Sequence, residues 1–589
     1  MIFIPLFYYV LYIMLLFGII PIRSLFFLNL LSTLIISFLF YFPIKYLKGK
    51  KIKFFIILIN IIFFFLLKEF SRVSLKTTII LQIITTIMLL LLFSKHKYLN
   101  NISKGLFITL TALSMWQGFK IDYKSNLLQT ETQVDLNFYE YNRLKIVDSS
   151  KYYNGNSGIA KLYDKMFWGF TKNLPLNGRV YYPKKSGVFP IVFILHGNAL
   201  AENPSHKGYD YLLKHLAANG FIAVSIDENF LNGNWTSLGQ GQPKENDARA
   251  FLLLEHIKLF DQLNRDKNSI FYNMVDISNI GLVGHSRGGE AVSIAAKYSY
   301  YPIKAVMSLS GTDRQFRESI NLTNISYIAL HGANDGDLKS FKARSQFNRI
   351  SFTNDSEYNI KATYYLEGVN HSQFNSDWGL IDSTSLGKLF YGRNNNLKAI
   401  DQREIAKELS LKLFRFKLLN VVDEVKYLKQ PSLIPTLPNT VIITDFLSSN
   451  YKPINYNLKT EDIHKRSFYK NGKSTWDFTI NYNSKIILNN KLDSISTKNI
   501  IFSLANSSNK ELDLLVNVIK DNSVKEFVYR LEPGISKNIF KINTFSKEDR
   551  IDPNFQYFQI PIDNKPWDRI EINLKNFEGS ILFNNFYYL

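Results

Sequence analysis

The sequence contains no cysteine among its 589 residues. This absence excludes disulfide bonds, zinc–thiolate sites, iron–sulfur clusters and a cysteine nucleophile. Charged residues make up only 20 % of the chain and apolar residues 46 %, so the composition excludes disorder as the dominant state. A chain of this length is expected to form roughly two to four domains.

Acidic residues are almost absent from the first 128 residues, which hold fourteen Lys or Arg but only Glu69 and Asp122 as acids. The same part of the chain contains five apolar runs, and the longest has the 19 residues that a membrane-spanning helix requires. The runs are residues 4–20, 24–42, 54–67, 77–93 and 105–119. They predict a transmembrane helical region of about five spans at residues 1–120, with the lipid bilayer as a partner.

The loops between these runs differ in their number of basic residues. The second and fourth loops hold eight Lys or Arg, and the first and third hold four. By the positive-inside rule the second and fourth loops are cytoplasmic, so five spans place everything after residue 120 on the outer side. The sequence therefore predicts a multi-pass protein of the cell membrane with its later domains in the periplasm or outside the cell.

Short β-rich runs alternate with helical stretches from about residue 177 onward. This alternation is typical of a parallel sheet with helical crossovers and predicts a doubly wound α/β domain. We assign that domain to residues 175–428, after a connecting segment at 121–174. Prolines at 429–440 indicate a linker, and the evenly spaced β-rich runs that follow predict an antiparallel, jelly-roll-like β-sandwich at 441–589.

A Gly-His-Ser-Arg-Gly sequence at residues 284–288 lies between an apolar β-rich run and a helical stretch. This is the G-x-S-x-G motif in the strand–turn–helix context that makes it informative. Gly284 and Gly288 leave room for a sharp turn that lifts the Ser286 hydroxyl clear of the sheet. We therefore predict Ser286 as a nucleophile, with His285 and the two glycines as its nucleophile elbow.

Residues 175–420 resemble the α/β-hydrolase family, in particular bacterial esterases akin to dienelactone hydrolases, cutinases and platelet-activating-factor acetylhydrolases. Four segments carry the resemblance: residues 196–198, 284–289, 331–335 and 368–371. Their order matches the family order of nucleophile, acid and histidine. The resemblance implies a serine hydrolase that cleaves carboxylic esters of lipids, polyesters or acylated glycans, with no cofactor and no metal.

A serine hydroxyl needs a base with a pKa near neutrality, and histidine is the usual choice. The family order puts this base last in the domain. Only His331, His371 and His464 follow the serine in the chain. His331 precedes the candidate acid, Asp335, and His464 belongs to the C-terminal region, so His371 is the predicted base.

Asp335 lies at the spacing that the family uses for the acid, which orients the imidazole and stabilises the imidazolium. Asp337, two residues later, is the alternative acid. Two backbone N–H groups are expected to form the oxyanion hole. One is that of Arg287, directly after the nucleophile, and by resemblance the other is that of Asn198.

Two other functions remain open at this point. An acyl-enzyme could transfer its acyl group to a hydroxyl of an envelope polymer instead of to water, or the fold could serve as a non-catalytic binding or scaffold protein. The C-terminal sandwich is either a glycan-binding module or a structural, dimerising lid. Nucleic acid is not an expected partner, since the sequence shows no basic helix and no interleaved aromatic and basic residues.

Overall fold

The computed structural model describes the second half of the chain most fully. The described residues are 98, 101–102, 135–152, 173–199, 204–232, 245–313, 320–338, 341–353, 357–379, 382, 396–440, 442–453, 463–468, 476–481, 485–489, 499–506, 510–531, 556–562, 567–575, 577 and 581–588.

A mixed sheet of nine strands organises the described residues between 136 and 448. Its strands are β1 (Leu136–Asp148), β2 (Asn173–Pro183), β3 (Phe189–Leu195), β4 (Ile222–Ile226), β5 (Val275–His285), β6 (Ile303–Leu309), β7 (Ser326–Gly332), β8 (Ile360–Leu366) and β9 (Ile442–Ser448). The spatial order is β1-β2-β4-β3-β5-β6-β7-β8-β9. The six central strands, β4, β3, β5, β6, β7 and β8, are parallel. Antiparallel strands flank them at both edges.

Helices cover both faces of this sheet. They are α1 (Asp210–Ala218), α2 (Glu245–Arg265), α3 (Arg287–Tyr298), α4 (Ala343–Arg349), α5 (Ala399–Leu418) and α6 (Val425–Lys429). Strand β3 shows how the sheet serves two cores: Phe193 packs in one apolar cluster with α2 and α3, and Ile194 packs in another with α1 and α5. Successive side chains point to opposite faces, so a continuous apolar run is what a strand covered on both faces requires.

The observed sheet extends beyond residues 175–428, the range expected for the α/β domain. Strand β1 pairs with β2 at one edge, and β9 pairs with β8 at the other. The proline-rich stretch at 429–440 contains a short 3₁₀ turn, Pro431–Leu433, from which the chain returns to the sheet. Without β9 the edge of β8 would leave its backbone N–H and C=O groups unpaired, and the added strand satisfies them.

Two antiparallel sheets follow β9. The first contains β10 (Lys452–Pro453), β11 (Ile463–Phe468), β12 (Trp476–Asn481), β14 (Asn499–Asn506), β17 (Gln556–Pro561) and β19 (Ile581–Tyr588). The second contains β13 (Lys485–Asn489), β15 (Leu512–Lys520), β16 (Ser523–Leu531) and β18 (Arg569–Lys575). Buried residues of both sheets, such as Phe502 and Val516, share one apolar cluster. Trp567 is buried in the same cluster, so its ring is part of this core.

The prediction of a multi-pass membrane location is contradicted. In the part of the chain that the structure describes, no helix is both long and apolar enough to cross a membrane. The longest, α2 and α5, have 21 and 20 residues but carry seven and eight charged side chains. The five apolar runs on which the prediction was based lie outside the described residues.

Candidate active site

Ser286 lies at the turn between β5 and α3, where it is the N-cap residue of the helix. Its backbone has φ 57° and ψ −121°, a conformation that non-glycine residues rarely adopt and that persists only where neighbours hold it. Its N–H donates to the carbonyl of Leu309 at 2.9 Å, and its carbonyl accepts from the N–H groups of Gly289 and Thr312 at 3.0 Å each. The strained turn is thus fixed from β6 and from its own helix.

Three glycines make this turn sterically feasible. A Cβ on Gly284 would lie 2.1 Å from the carbonyl oxygen of Gly288, and one on Gly288 would lie 2.6 Å from that of Leu195. A Cβ on Gly197, in the turn after β3, would lie 2.4 Å from Cβ of Ser286. The turn after β3 therefore runs directly against the serine. Asn198 and Arg287 are the next residues in sequence after Gly197 and Ser286.

Asp335 and His371 follow the neighbouring strands β7 and β8, and the structure brings their side chains together. Nδ1 of His371 lies 2.9 Å from Oδ2 of Asp335, and both residues are buried. The other carboxylate oxygen of Asp335 accepts the backbone N–H groups of Asp337 at 2.9 Å and Leu338 at 2.7 Å. Burial alone would raise the pKa of Asp335, but the charge and hydrogen bond of His371 outweigh it and lower that pKa to about 2.

Asp337 lies on the opposite side of the same imidazole. Its Oδ2 is 3.4 Å from Nε2 of His371, whereas Asp335 contacts Nδ1. Nε2 is buried and has no hydrogen-bond partner within the described residues, so no hydrogen bond joins it to Ser286. The structure therefore brings together the side chains of the predicted acid and base at the ends of β7 and β8. The predicted nucleophile follows β5, and β6 lies between β5 and β7.

Aromatic rings connect the serine turn to the histidine. The ring of His285 lies 4.8 Å from that of His371 and 4.6 Å from that of Trp378, measured between centroids. Nδ1 of His285 is 2.8 Å from the hydroxyl of Tyr209. Burial, reinforced by the nearby charge of His371, holds the pKa of His285 well below its ordinary value, so this ring is neutral near pH 7. Trp378 is fixed in turn by a 2.9 Å hydrogen bond from Nε1 to Oγ of Ser205.

A buried ionic network lies behind the turn after β3. The guanidinium of Arg249 is 3.2 Å from carboxylate oxygens of both Glu228 and Glu245, and it donates to Oδ1 of Asn232 at 2.6 Å. It also donates to the carbonyl oxygen of His196 at 3.5 Å. Burial raises the pKa of Glu228 to about 8, although the Arg249 charge acts in the opposite direction.

The same network reaches the residue after the serine. Glu245 forms an ion pair with the guanidinium of Arg287 as well as with that of Arg249. The backbone N–H of Glu228 donates to Nε2 of His196 at 3.0 Å. The two segments expected to supply oxyanion donors are therefore tied to one set of buried charges.

Sequence analysis missed Glu228, Glu245 and Arg249. The spacing of four residues between Glu245 and Arg249 was the only signal, and it is common on exposed helix faces. It also missed Asp382, which no motif marks. Among the residues that the structure describes, no group of three His, Asp or Glu side chains could hold a metal ion.

Part of the chain is similar to known proteins. The model of the chlorophyllase family matches residues 168–314. Chlorophyllase-1 of Citrus unshiu is 26 % identical over 133 residues, which cover 22 % of this chain and 36 % of that protein. Cutinase est2 of Thermobifida alba is 27 % identical over 116 residues, which cover 19 % of this chain and 31 % of that protein.

The chain thus spans about a third of the length of the curated relatives it matches. The family match contains Ser286 and ends before Asp335 and His371. Together with the mixed sheet and its flanking helices, these similarities support an α/β-hydrolase fold.

Proposed function

We propose that this protein is a serine esterase in which Ser286 is the nucleophile, His371 the base and Asp335 the acid that orients it. The observation that carries the proposal is the 2.9 Å contact between Nδ1 of His371 and Oδ2 of Asp335. This contact leaves Nε2 as the nitrogen that can accept a proton. It lies at the ends of β7 and β8, in the same sheet as β5, whose last residue precedes a serine in a strained turn.

In the first half of the reaction, the Ser286 oxygen attacks the ester carbonyl carbon while Nε2 of His371 accepts the hydroxyl proton. The carbonyl oxygen becomes an oxyanion as the new C–O bond forms. When the tetrahedral intermediate collapses, the bond to the alcohol oxygen breaks and the imidazolium gives its proton to that oxygen. The products are an alcohol and an acyl-enzyme.

Water completes the cycle by the same route. His371 accepts a proton from the water as its oxygen attacks the acyl carbon, and the proton returns to Ser286 when the carboxylic acid leaves. Asp335 stays ionised throughout, because its pKa is about 2, and its negative charge stabilises the imidazolium. Cofactor chemistry is not needed for either half of the reaction.

Backbone N–H groups of Arg287 and Asn198 are the proposed oxyanion donors. Each such donor typically contributes about 3–4 kcal/mol to transition-state stabilisation. Support comes from the approach of Gly197 to Ser286 and from the buried charges that hold His196 and Arg287. The proposed substrates are carboxylic esters of lipids, polyesters or acylated glycans, in keeping with chlorophyllase and cutinase among the relatives.

Labelling of the full chain with a fluorophosphonate probe tests this proposal. We expect the wild type to be labelled, Ser286→Ala to remain unlabelled and His371→Ala to react at least ~1000-fold more slowly. Ser278 is an exposed serine of β5, the strand that precedes Ser286, so Ser278→Ala is the matched control and should be labelled like the wild type. A folded wild type that takes up no probe, or a Ser286→Ala variant that still does, would overturn the proposal.

A further inference from the structure

The carboxylate of Asp382 bridges two loops that carry the proposed acid and base. Its Oδ2 accepts the backbone N–H of Gly336 at 2.9 Å and that of His371 at 2.6 Å. Its Oδ1 accepts the backbone N–H of Ser372 at 2.6 Å. Three backbone donors therefore converge on one side chain that is separated from them by 46, 11 and 10 residues.

Each of these donors is in or next to a proposed catalytic residue. Gly336 follows Asp335 directly, and one of the other donors is the N–H of His371 itself. Hydrogen bonds from N–H groups to an ionised carboxylate are shorter and roughly twice as strong as neutral ones. We call the loop after β7, which carries Asp335, the acid loop, and the loop after β8, which carries His371, the histidine loop. Asp382 thus binds the backbone of both loops beside the two side chains.

The contact is also sterically close. A Cβ on Gly336 would lie 3.0 Å from Cβ of Asp382, so the acid loop has little freedom to approach further. Burial and the negative charge of nearby Asp335 raise the pKa of Asp382, and the N–H groups of Gly336 and His371 oppose that rise. Asp382 is therefore a second carboxylate beside the Asp335–His371 pair, and burial and repulsion from Asp335 disfavour its charged form. A carboxylate in a solvent-exposed turn would not bear this cost.

We infer that Asp382 is a positioning residue that sets the separation of the acid loop and the histidine loop, and so aligns Asp335 with His371. This inference rests on the proposed function. Upstream, the loops are already joined by the hydrogen bond from the N–H of Asn334 to the carbonyl of Val369, 2.9 Å long. Asp382 adds the constraint at the reacting residues, where a shift of about 1 Å can reduce the rate of reaction about 100-fold.

The test separates chemistry from folding by measuring two properties of fluorophosphonate labelling on the full chain. The final extent of labelling reports the fraction of folded, competent protein, and the second-order rate constant reports the reactivity of the serine. Asp382→Asn keeps one acceptor oxygen, and Asp382→Ala keeps none. We expect the rate constant to fall about tenfold in Asp382→Asn and about 100-fold in Asp382→Ala, with the final extent unchanged in Asp382→Asn.

Hydrolysis of a p-nitrophenyl ester provides a second readout, in which kcat should fall while KM stays within about twofold of the wild-type value. Asp276→Asn is the matched control. Asp276 also accepts a backbone N–H, that of Ser278, but it lies at the start of β5, at the other end of the strand from the serine. Its substitution should leave the rate constant unchanged.

A rate constant equal to that of the wild type in both Asp382 variants would overturn the inference, whatever their final extent of labelling. A merely structural role would give that result, with fewer competent molecules that react at the normal rate. If Asp382→Ala does not fold, Asp382→Asn alone decides. Failure of the proposed function is distinguishable, because a folded wild type would then not be labelled.

Discussion

Arg249 pairs with Glu245 one helical turn earlier in α2, at 3.2 Å, and solvent reaches neither side chain. A second pair of the same spacing in the same helix, Asp261 and Arg265, leaves the arginine side chain 75 % exposed. The two pairs have the same spacing, but only the first has a buried arginine. They allow the effect of burial to be measured within one helix.

We expect Arg249→Gln to lower the free energy of unfolding by about 3 kcal/mol or more, because it removes the positive partner of buried Glu228 and one of the two positive partners of buried Glu245. Arg265→Gln, the matched control, should lower it by less than about 1 kcal/mol, since a solvated ion pair is weak. Urea unfolding monitored by tryptophan fluorescence measures both. Equal losses in the two variants would contradict a buried role for Arg249.

The two candidate acids can be separated by mutation. Asp335→Asn should reduce kcat about 10⁴-fold, because the amide no longer accepts the Nδ1 proton and favours the wrong tautomer of His371. Asp337→Asn should change kcat by less than about tenfold, because Asp337 contacts the other nitrogen. Steady-state hydrolysis of a p-nitrophenyl ester measures both variants. A greater loss in Asp337→Asn than in Asp335→Asn would assign the acid to Asp337.

Gly197→Ala should slow acylation of Ser286 about 100-fold, since the new methyl group would lie 2.4 Å from Cβ of the serine and the turn after β3 would have to move. Gly220→Ala is the control, because its positive φ of 93° makes alanine strained while no atom lies within 4 Å of the added Cβ. It should reduce stability by about 1 kcal/mol and leave the acylation rate unchanged. The rate of fluorophosphonate labelling checks both variants, and equal rates for the two would refute the steric argument.

Glu228 should make stability fall as pH rises. Its pKa is raised from 4.5 to about 8 in the folded protein by burial, so between these values the folded state holds a proton that the unfolded state has lost. Stability from this group is complete below about pH 4.5 and declines up to about pH 8, by at most about 1.4 kcal/mol per pH unit. Glu228→Gln should flatten this slope in urea unfolding measured at several pH values. A slope that is the same in Glu228→Gln would show that other groups cause it.

Some features of the protein were predictable because their causes are local. The α/β class follows from apolar runs such as β3 that alternate with helical stretches, and it is confirmed in its coarse form as a mixed sheet covered on both faces. The turn at residues 284–288 was predictable from its own five residues, because two of the three glycines that permit it lie within it. The multi-pass membrane location was wrong, since no helix among the described residues is long and apolar enough to cross a membrane.

The sequence by itself determined which residue types are available: one serine in a glycine turn, and a histidine and two aspartates after later strands. Only the tertiary structure decided which carboxylate meets which nitrogen, because Asp335 and Asp337 are two residues apart in one loop and contact opposite sides of the His371 ring. It also decided that Arg249 is buried among acids and that Asp382 joins two loops. Burial and contact across many residues depend on how distant segments pack, and residue spacing along the chain does not encode them.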